Sequence, residues 1–349
     1  MAGRIITIIL SREFEGVMLD KNIKDRAFKY CRNKKHIRLD IGYFDEENES
    51  IETFFQNERC TNADIGLYEI GSITKTFIAS KVASLLKEGR LSIEDNISKY
   101  ITELPRDRTY PTIRKLLTHT SGYGGYPKSE VWDTITGQIR SKNPFMEISD
   151  KKMVSYIQEK RLRDKKYSWF YSNFGIGVVG LVISRIDKDT LGNIMNKYIK
   201  EELQLHNTFW VTKKEDYCSK IVPGYDNKNM EKPNWNWEDA AINGAGCILS
   251  SVGDLIIFAK QNVYDQYGYL KKTQVPLARR IDGAKVGMVW NMDNKFIWHN
   301  GSTGCYTSVL KIDPVQKRGV VLLSNYHSKI LGCTPLNKIG NSILEKHSK

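Results

Sequence analysis

The sequence predicts an α+β fold, an antiparallel sheet flanked by helices with a helical subdomain inserted into it. Two observations carry that expectation. Strand-like runs rich in β-branched and aromatic residues lie near both ends, at 37–44 and 51–55 and again at 286–290, 296–298, 308–312 and 320–323. Between them apolar residues recur at helical spacing, and strands do not alternate with helices as a parallel sheet requires. The expected organisation is a lead-in over residues 1–21 and one domain over 22–346. Its sheet region would cover about 22–70 and 243–346, and its helical region about 71–242.

Taken in order, residues 22–30 suit a helix. The first two strands form a hairpin over the polar turn Asp45-Glu46-Glu47-Asn48-Glu49. Residues 65–70 run extended into a helix marked by Phe77, Ile78, Val82, Leu85 and Leu86, which Gly89 ends. Residues 113–121 begin helical and end at Gly122, where Gly122 to Gly125 and Pro127 mark a loop. Further helices are expected over 174–186, 191–203, 253–262 and 336–344, with Ser251 and Asp254 resembling a capping box. Residues 211–240 hold Pro223, Gly224 and Pro233 and read as irregular.

The chain has 349 residues and a net charge of +13. The basic residues are spread as short pairs such as Lys34-Lys35 and Lys271-Lys272 rather than gathered in a stripe, which argues for a solvated surface and against nucleic-acid binding. No apolar run reaches the length of about 18 residues that spans a membrane. Ile5-Ile6-Thr7-Ile8-Ile9-Leu10 is too short for a signal-peptide core and no small-residue cleavage site follows, so a strand or ordered tail and a cytoplasmic location are expected, with export left open. The six cysteines are scattered without zinc spacing, and the six histidines form no H-E-x-x-H. No metal and no cofactor are expected. Gly175-Ile-Gly-Val-Val-Gly180 matches G-x-G-x-x-G but lacks a preceding apolar strand, so a close-packed glycine helix face is preferred to a dinucleotide site.

Three short motifs carry candidate chemistry. Ser72-Ile-Thr-Lys75 places a hydroxyl and an amine one helical turn apart at a helix start. A serine needs a base beside it to act as a nucleophile, and a lysine is a base only when burial or cationic neighbours lower its pKa from about 10.4. Free N–H groups at a helix start favour a developing oxyanion. In Tyr171-Ser-Asn173, a phenol can shuttle a proton and an amide can hold a carbonyl. In His299-Asn-Gly301-Ser302, the glycine lets a substrate backbone approach and the Ser302 N–H is a candidate second oxyanion donor. Taken singly, each has a plain alternative: an N-capping serine with a solvated lysine, an aromatic core residue beside a turn, or a satisfied histidine on an exposed strand. Cys305 has no base at motif distance and reads as packing.

Taken together, Ser72-x-x-Lys75, Tyr171-x-Asn173 and His299-x-Gly301 resemble the motifs of the serine β-lactamase and penicillin-binding protein superfamily. The Y-x-N element resembles the class C branch, not the S-D-N of class A. Tyr68-Glu-Ile-Gly-Ser-Ile-Thr-Lys-Thr-Phe, Ile113-Arg-Lys-Leu-Leu-Thr-His-Thr-Ser-Gly, Gly244-Ala-Gly-Cys-Ile-Leu-Ser-Ser-Val-Gly-Asp-Leu and Ile312-Asp-Pro with Gly319-Val-Val-Leu-Leu-Ser-Asn325 resemble further family blocks in family order, over roughly residues 22–345.

The resemblance implies a sheet bordered by a helical region, with an active-site groove between them. It implies Ser72 as the acylated nucleophile, Lys75 and Tyr171 as shared general base, Asn173 as a carbonyl holder, and the N–H groups of Ser72 and Ser302 as oxyanion hole. His299 stands where β-lactamases usually carry lysine, which weakens anchoring of a substrate carboxylate. H-x-G resembles D-alanyl-D-alanine peptidases, D-amino-acid peptidases and esterases more than dedicated β-lactamases. The expected activity is cleavage of peptide or ester bonds through an acyl-enzyme. The alternatives are a class C-like β-lactamase and a non-catalytic penicillin-binding sensor. The expected partner is a small-molecule or peptide substrate, its specificity set by loops at 122–143 and 216–239. No deacylation base and no oligomeric state are assigned.

Overall fold

A computed structural model describes residues 19–125, 143, 148–211, 219–237, 241–327 and 335–346. The run expected as a strand or tail at 5–10, most of the 122–143 loop and parts of the 216–239 loop lie outside the described residues. The chain opens with helix α1 (Lys21–Cys31), capped by Asp20, whose Oδ1 accepts from the Ile23 N–H at 2.8 Å. The expected hairpin follows as β1 (Leu39–Phe44) and β2 (Glu49–Phe54), then short strands β3 (Arg59–Cys60) and β4 (Tyr68–Glu69). A 3₁₀ turn, Gly71–Ile73, leads into α2 (Thr74–Lys87). Then come α3 (Ile113–Leu117), α4 (Asp150–Glu159), α5 (Asn173–Asp187), α6 (Leu191–Lys197) and strands β5 (Phe209–Trp210), β6 (Gly224–Tyr225) and β7 (Glu231–Lys232). Strand β8 (Ile248–Ser250) and helix α7 (Val252–Tyr264) precede β9 (Ala278–Arg279), β10 (Lys285–Val286), β11 (Asn291–Met292), β12 (Ile297–Ser302), β13 (Thr307–Asp313), β14 (Arg318–Ser324) and α8 (Pro335–Lys346).

Nine strands form one antiparallel sheet in the order β3-β2-β1-β14-β13-β12-β11-β10-β9. The first hairpin joins the last strands where β1 pairs with β14, Leu39 opposite Ser324 and Phe44 opposite Gly319. Period-two alternation divides each central strand between two cores. Leu39, Ile41 and Tyr43 of β1, with Val320 and Leu322 of β14, pack against α1 and α8 through Ile23, Ala27, Ile339 and Ile343. Val321 and Leu323 face the opposite side, in the core with Phe77 of α2 and Phe258 of α7, whose rings stack at 4.1 Å. Gly42 of β1 permits α7 to approach closely, since a Cβ there would lie 2.4 Å from Ile256 Cδ1.

Four local expectations need correction. Residues 286–290 are not one strand. After Val286 the chain leaves the sheet, because the Met288 N–H donates to the Thr273 carbonyl at 2.8 Å and the Val289 N–H to the Leu117 carbonyl at 2.8 Å. Val289 sits at φ 61°. Residues 191–203 are not uniformly α-helical, since α6 widens into a π-turn over Tyr198–Glu202. The irregular stretch 211–240 contains the β6–β7 hairpin. Only half of the capping box forms: Ser251 Oγ accepts from the Asp254 N–H at 3.2 Å. The Asp254 carboxylate instead accepts from the Asn207 N–H at 2.7 Å and the Thr208 hydroxyl at 2.8 Å. Ser251→Ala is therefore expected to cost about 1 kcal/mol through the lost cap alone, read as a lower urea midpoint at unchanged slope. The glycine motif at 175–180 is the packed helix face anticipated, since a Cβ on Gly177 or Gly180 would meet Ile242, Met153 or Leu191 within 3 Å.

Candidate active site

Ser72 is half-buried in the 3₁₀ turn directly before α2, so its hydroxyl is presented at the helix start, as its sequence context suggests. Lys75, one turn on, is fully buried. Its Nζ lies 2.9 Å from Ser72 Oγ and 2.6 Å from the Ala245 carbonyl oxygen. Burial holds the ammonium well below its usual range. The arrangement favours a neutral amine beside a hydroxyl, the state in which lysine can take a proton.

Tyr171 completes this corner. Lys75 Nζ is 5.1 Å from the centre of its ring. The rings of His119 and His299 lie 4.7 and 6.4 Å from it, centroid to centroid. Asn173 opens α5 two residues beyond Tyr171 and is half-buried there. The N-cap between them is Ser172, whose Oγ accepts from the Gly175 N–H at 2.8 Å and donates to the Gly124 carbonyl at 2.7 Å.

Strand β12 forms the opposite wall. Gly301 lies so close to the Ile70 carbonyl that a Cβ there would fall 1.8 Å from its oxygen. Gly71 adopts φ 50°, and its own Cβ would fall 2.7 Å from Ser302 N. Two glycines therefore bring the Ser302 amide against the turn that carries Ser72. His299 is not the exposed strand histidine of the plain alternative, being 3% exposed. Its Nδ1 lies 2.7 Å from the Asn300 carbonyl oxygen, which makes Nδ1 the protonated nitrogen and Nε2 an acceptor. Burial, and then the neighbouring Lys75, push its pKa down to about 3, against a hydrogen bond to Asn300 that raises it. At neutral pH His299 is an uncharged ring.

The structure thus gathers Ser72, Lys75, Tyr171, His299, Gly301 and Ser302 around one corner, with Asn173 at its edge. Sequence reasoning missed two participants. The Ala245 carbonyl is a backbone group that no side-chain pattern reveals. His119, 3% exposed, was visible only as one letter of the Leu-Leu-Thr-His-Thr-Ser-Gly block. Among the described residues no group of histidines, cysteines and acids is arranged to hold a metal, and no helix is long and apolar enough to cross a membrane.

Residues 66–330 match the Beta-lactamase family. The chain belongs to that family. It is 27% identical over 281 residues to Protein flp of Staphylococcus aureus (strain NCTC 8325 / PS 47), covering 75% of this chain and 53% of that protein. It is 25% identical to a beta-lactamase of Lysobacter lactamgenus, covering 77% of each. The chain spans about half the length of the flp relatives. Among solved structures, the beta-lactamase/D-alanine carboxypeptidase of Pseudomonas syringae shares 18% identity at a TM-score of 0.74, covering 94% of this chain and 98% of that one. The octameric penicillin-binding protein homologue of Pyrococcus abyssi shares 21% at a TM-score of 0.77, covering 93% and 76%. These solved structures share the α+β fold described above.

Proposed function

We propose that this beta-lactamase-family protein is a metal-free serine hydrolase that forms an acyl-enzyme at Ser72 on D-amino-acid-type peptide or ester bonds. The observation that carries the reading is the fully buried Lys75 amine, 2.9 Å from Ser72 Oγ, in surroundings that favour its neutral form. In this reading Ser72 Oγ attacks the substrate carbonyl carbon while its proton passes to Lys75 Nζ. The oxyanion is held by the N–H groups of Ser72 and Ser302. Collapse breaks the bond to the leaving group, which takes the proton back from the Lys75–Tyr171 pair, and water then releases the acyl group. Asn173 orients the substrate carbonyl.

The neutral, buried His299 supports esters and other substrates without a free carboxylate over carboxylate-anchored lactams, because it offers an acceptor nitrogen and no cation. The similarity to a beta-lactamase and to a beta-lactamase/D-alanine carboxypeptidase makes lactams and D-alanyl peptides the first substrates to try. The test is intact-mass spectrometry with benzylpenicillin, an alkyl fluorophosphonate, a p-nitrophenyl ester and a D-alanyl-D-alanine peptide, followed by peptide mapping. A single adduct on the peptide holding Ser72 is expected, with faster turnover of the ester than of the carboxylate-bearing lactam. Rapid lactam turnover would favour a β-lactamase, and a stable stoichiometric adduct a sensor. No adduct with any probe, or one elsewhere, would sink the Ser72 assignment.

A further inference from the structure

His119 follows α3 in the left-handed region at φ 59°, where histidine and asparagine are tolerated better than most side chains. Its backbone and its ring both serve the segment around Tyr171. The carbonyl accepts from the Phe170 N–H at 2.8 Å. Nδ1 accepts from the Ser172 N–H at 3.3 Å. The two amides that flank Tyr171 are therefore held by one residue more than fifty positions upstream. The imidazole face then packs on the Tyr171 ring at 4.7 Å, tilted by 42°, and meets Trp169 edge-on at 6.0 Å. Because Ser172 also caps α5, the same clamp sets where Asn173 begins that helix.

We propose that His119 is a positioning residue for Tyr171: its carbonyl and its Nδ1 fix the main chain on both sides of the tyrosine, and its ring is the surface against which the phenol is seated. The clamp requires Nδ1 to remain an acceptor. Burial, then the nearby Lys75 and His299, hold the imidazole well below its ordinary pKa and so favour the neutral ring, and the Ser172 N–H donated to Nδ1 leaves the ring's one proton to Nε2. The proton sits on Nε2, which is buried and has no hydrogen-bond partner among the described residues. Neither a packing role nor a helix C-cap would require an acceptor at Nδ1 rather than at Nε2.

The test exploits that asymmetry, and its catalytic half rests on the Ser72 reading. Asparagine accepts the left-handed conformation and puts its Oδ1 near the Nδ1 position. Glutamine reaches toward the Nε2 position and leaves the Ser172 N–H without a partner. The rate of fluorophosphonate acylation against pH, and hydrogen exchange at the Phe170 and Ser172 amides, are measured for wild type, His119→Asn, His119→Gln and His119→Gly. Glutamine and glycine are expected to slow acylation about 10- to 100-fold, as a displacement of about 1 Å in a reacting group does. Apparent reagent affinity should hold, the alkaline limb of the pH profile should move, and Ser172 exchange should quicken. Asparagine should restore all of these to within about threefold, the cost of one weakened hydrogen bond.

Equal rates in the asparagine and glutamine variants would overturn the proposal. If wild type is never acylated, the Ser72 reading fails. Exchange at Ser172 then judges the clamp alone, which is overturned if His119→Gln exchanges as wild type does.

Discussion

Ser72→Ala and Lys75→Arg are each expected to lower acylation about 10⁴-fold, and the double variant to be no worse than either single one. Residues that act as a unit are strongly non-additive, because the second removal takes away a function already lost. Arginine is the informative replacement at Lys75. It keeps the length and the charge, but a guanidinium does not give up its proton in a protein and cannot act as a base. If Lys75 were only a cation that stabilises the oxyanion, Lys75→Arg would retain much of the rate.

The same lysine predicts a pH signature in stability. Burial lowers its pKa in the folded state below the unfolded value of about 10.4. Between the two values the unfolded chain binds more protons, so this group's contribution rises with pH, by at most about 1.4 kcal/mol per unit. Below the folded value both states are protonated, and the full penalty of a buried ammonium is present without further pH dependence. Lys75→Met should therefore be more stable than wild type near neutrality, with an advantage that shrinks as pH approaches 10. Such a trade of stability for function is common at working sites. Urea titrations across pH 6–10 measure it, and a difference that stays flat would mean that Lys75 titrates as an ordinary surface lysine.

The parts of the fold legible in the sequence were those in which one local rule acts alone. The run Val320-Val-Leu-Leu323 of β14 reads as a strand because both faces of the central sheet are covered, so a short continuous apolar run replaces alternation. Residues 286–290 misled because Met288, Val289 and Trp290 are apolar for a different reason. Val286 ends strand β10, while Met288, Val289 and Trp290 are buried in a turn tied to the Thr273 and Leu117 carbonyls, outside any local window. Asp254 suits a capping box by spacing, yet Asn207 and Thr208 offer its carboxylate two donors that no local window contains.

At the site, Ser72 and Lys75 were legible because one helical turn brings them together. Tyr171 and the 299–302 run were legible as motifs, but their meaning depended on burial. His299 is a buried acceptor with its pKa pushed down to about 3, because β12 is pressed between the Ser72 turn and its neighbouring strands. His119 was opaque because its contribution is a left-handed backbone and one ring nitrogen, and a single letter encodes neither.

That pressed contact yields the other large expected effect, Gly301→Ala. A Cβ at 301 would lie 1.8 Å from the Ile70 oxygen and 2.4 Å from Ser308 Oγ. Ile70 cannot easily withdraw. Its oxygen accepts from the Ser308 hydroxyl at 2.8 Å, and its N–H donates to the Ile248 carbonyl at 3.0 Å, so it is tied to both β13 and β8. Restoring ordinary contact requires more than about 1 Å of movement between β12 and the Ser72 turn, and overpacking of this kind costs about 3 kcal/mol. Protein that still folds would carry the Ser302 amide away from Ser72, with a further loss of about 100-fold in acylation. Gly253→Ala is the matched control. Its nearest atom is Ile51 Cδ1 at 3.8 Å, and it lies in the first turn of α7, where alanine gains less than it does in a helix interior, about 1 kcal/mol. Thermal melts and fluorophosphonate acylation of both variants decide the matter. If Gly301→Ala matched wild type in both, strand β12 would not be held against Ile70 as described, and the Ser302 amide would lose its place opposite Ser72.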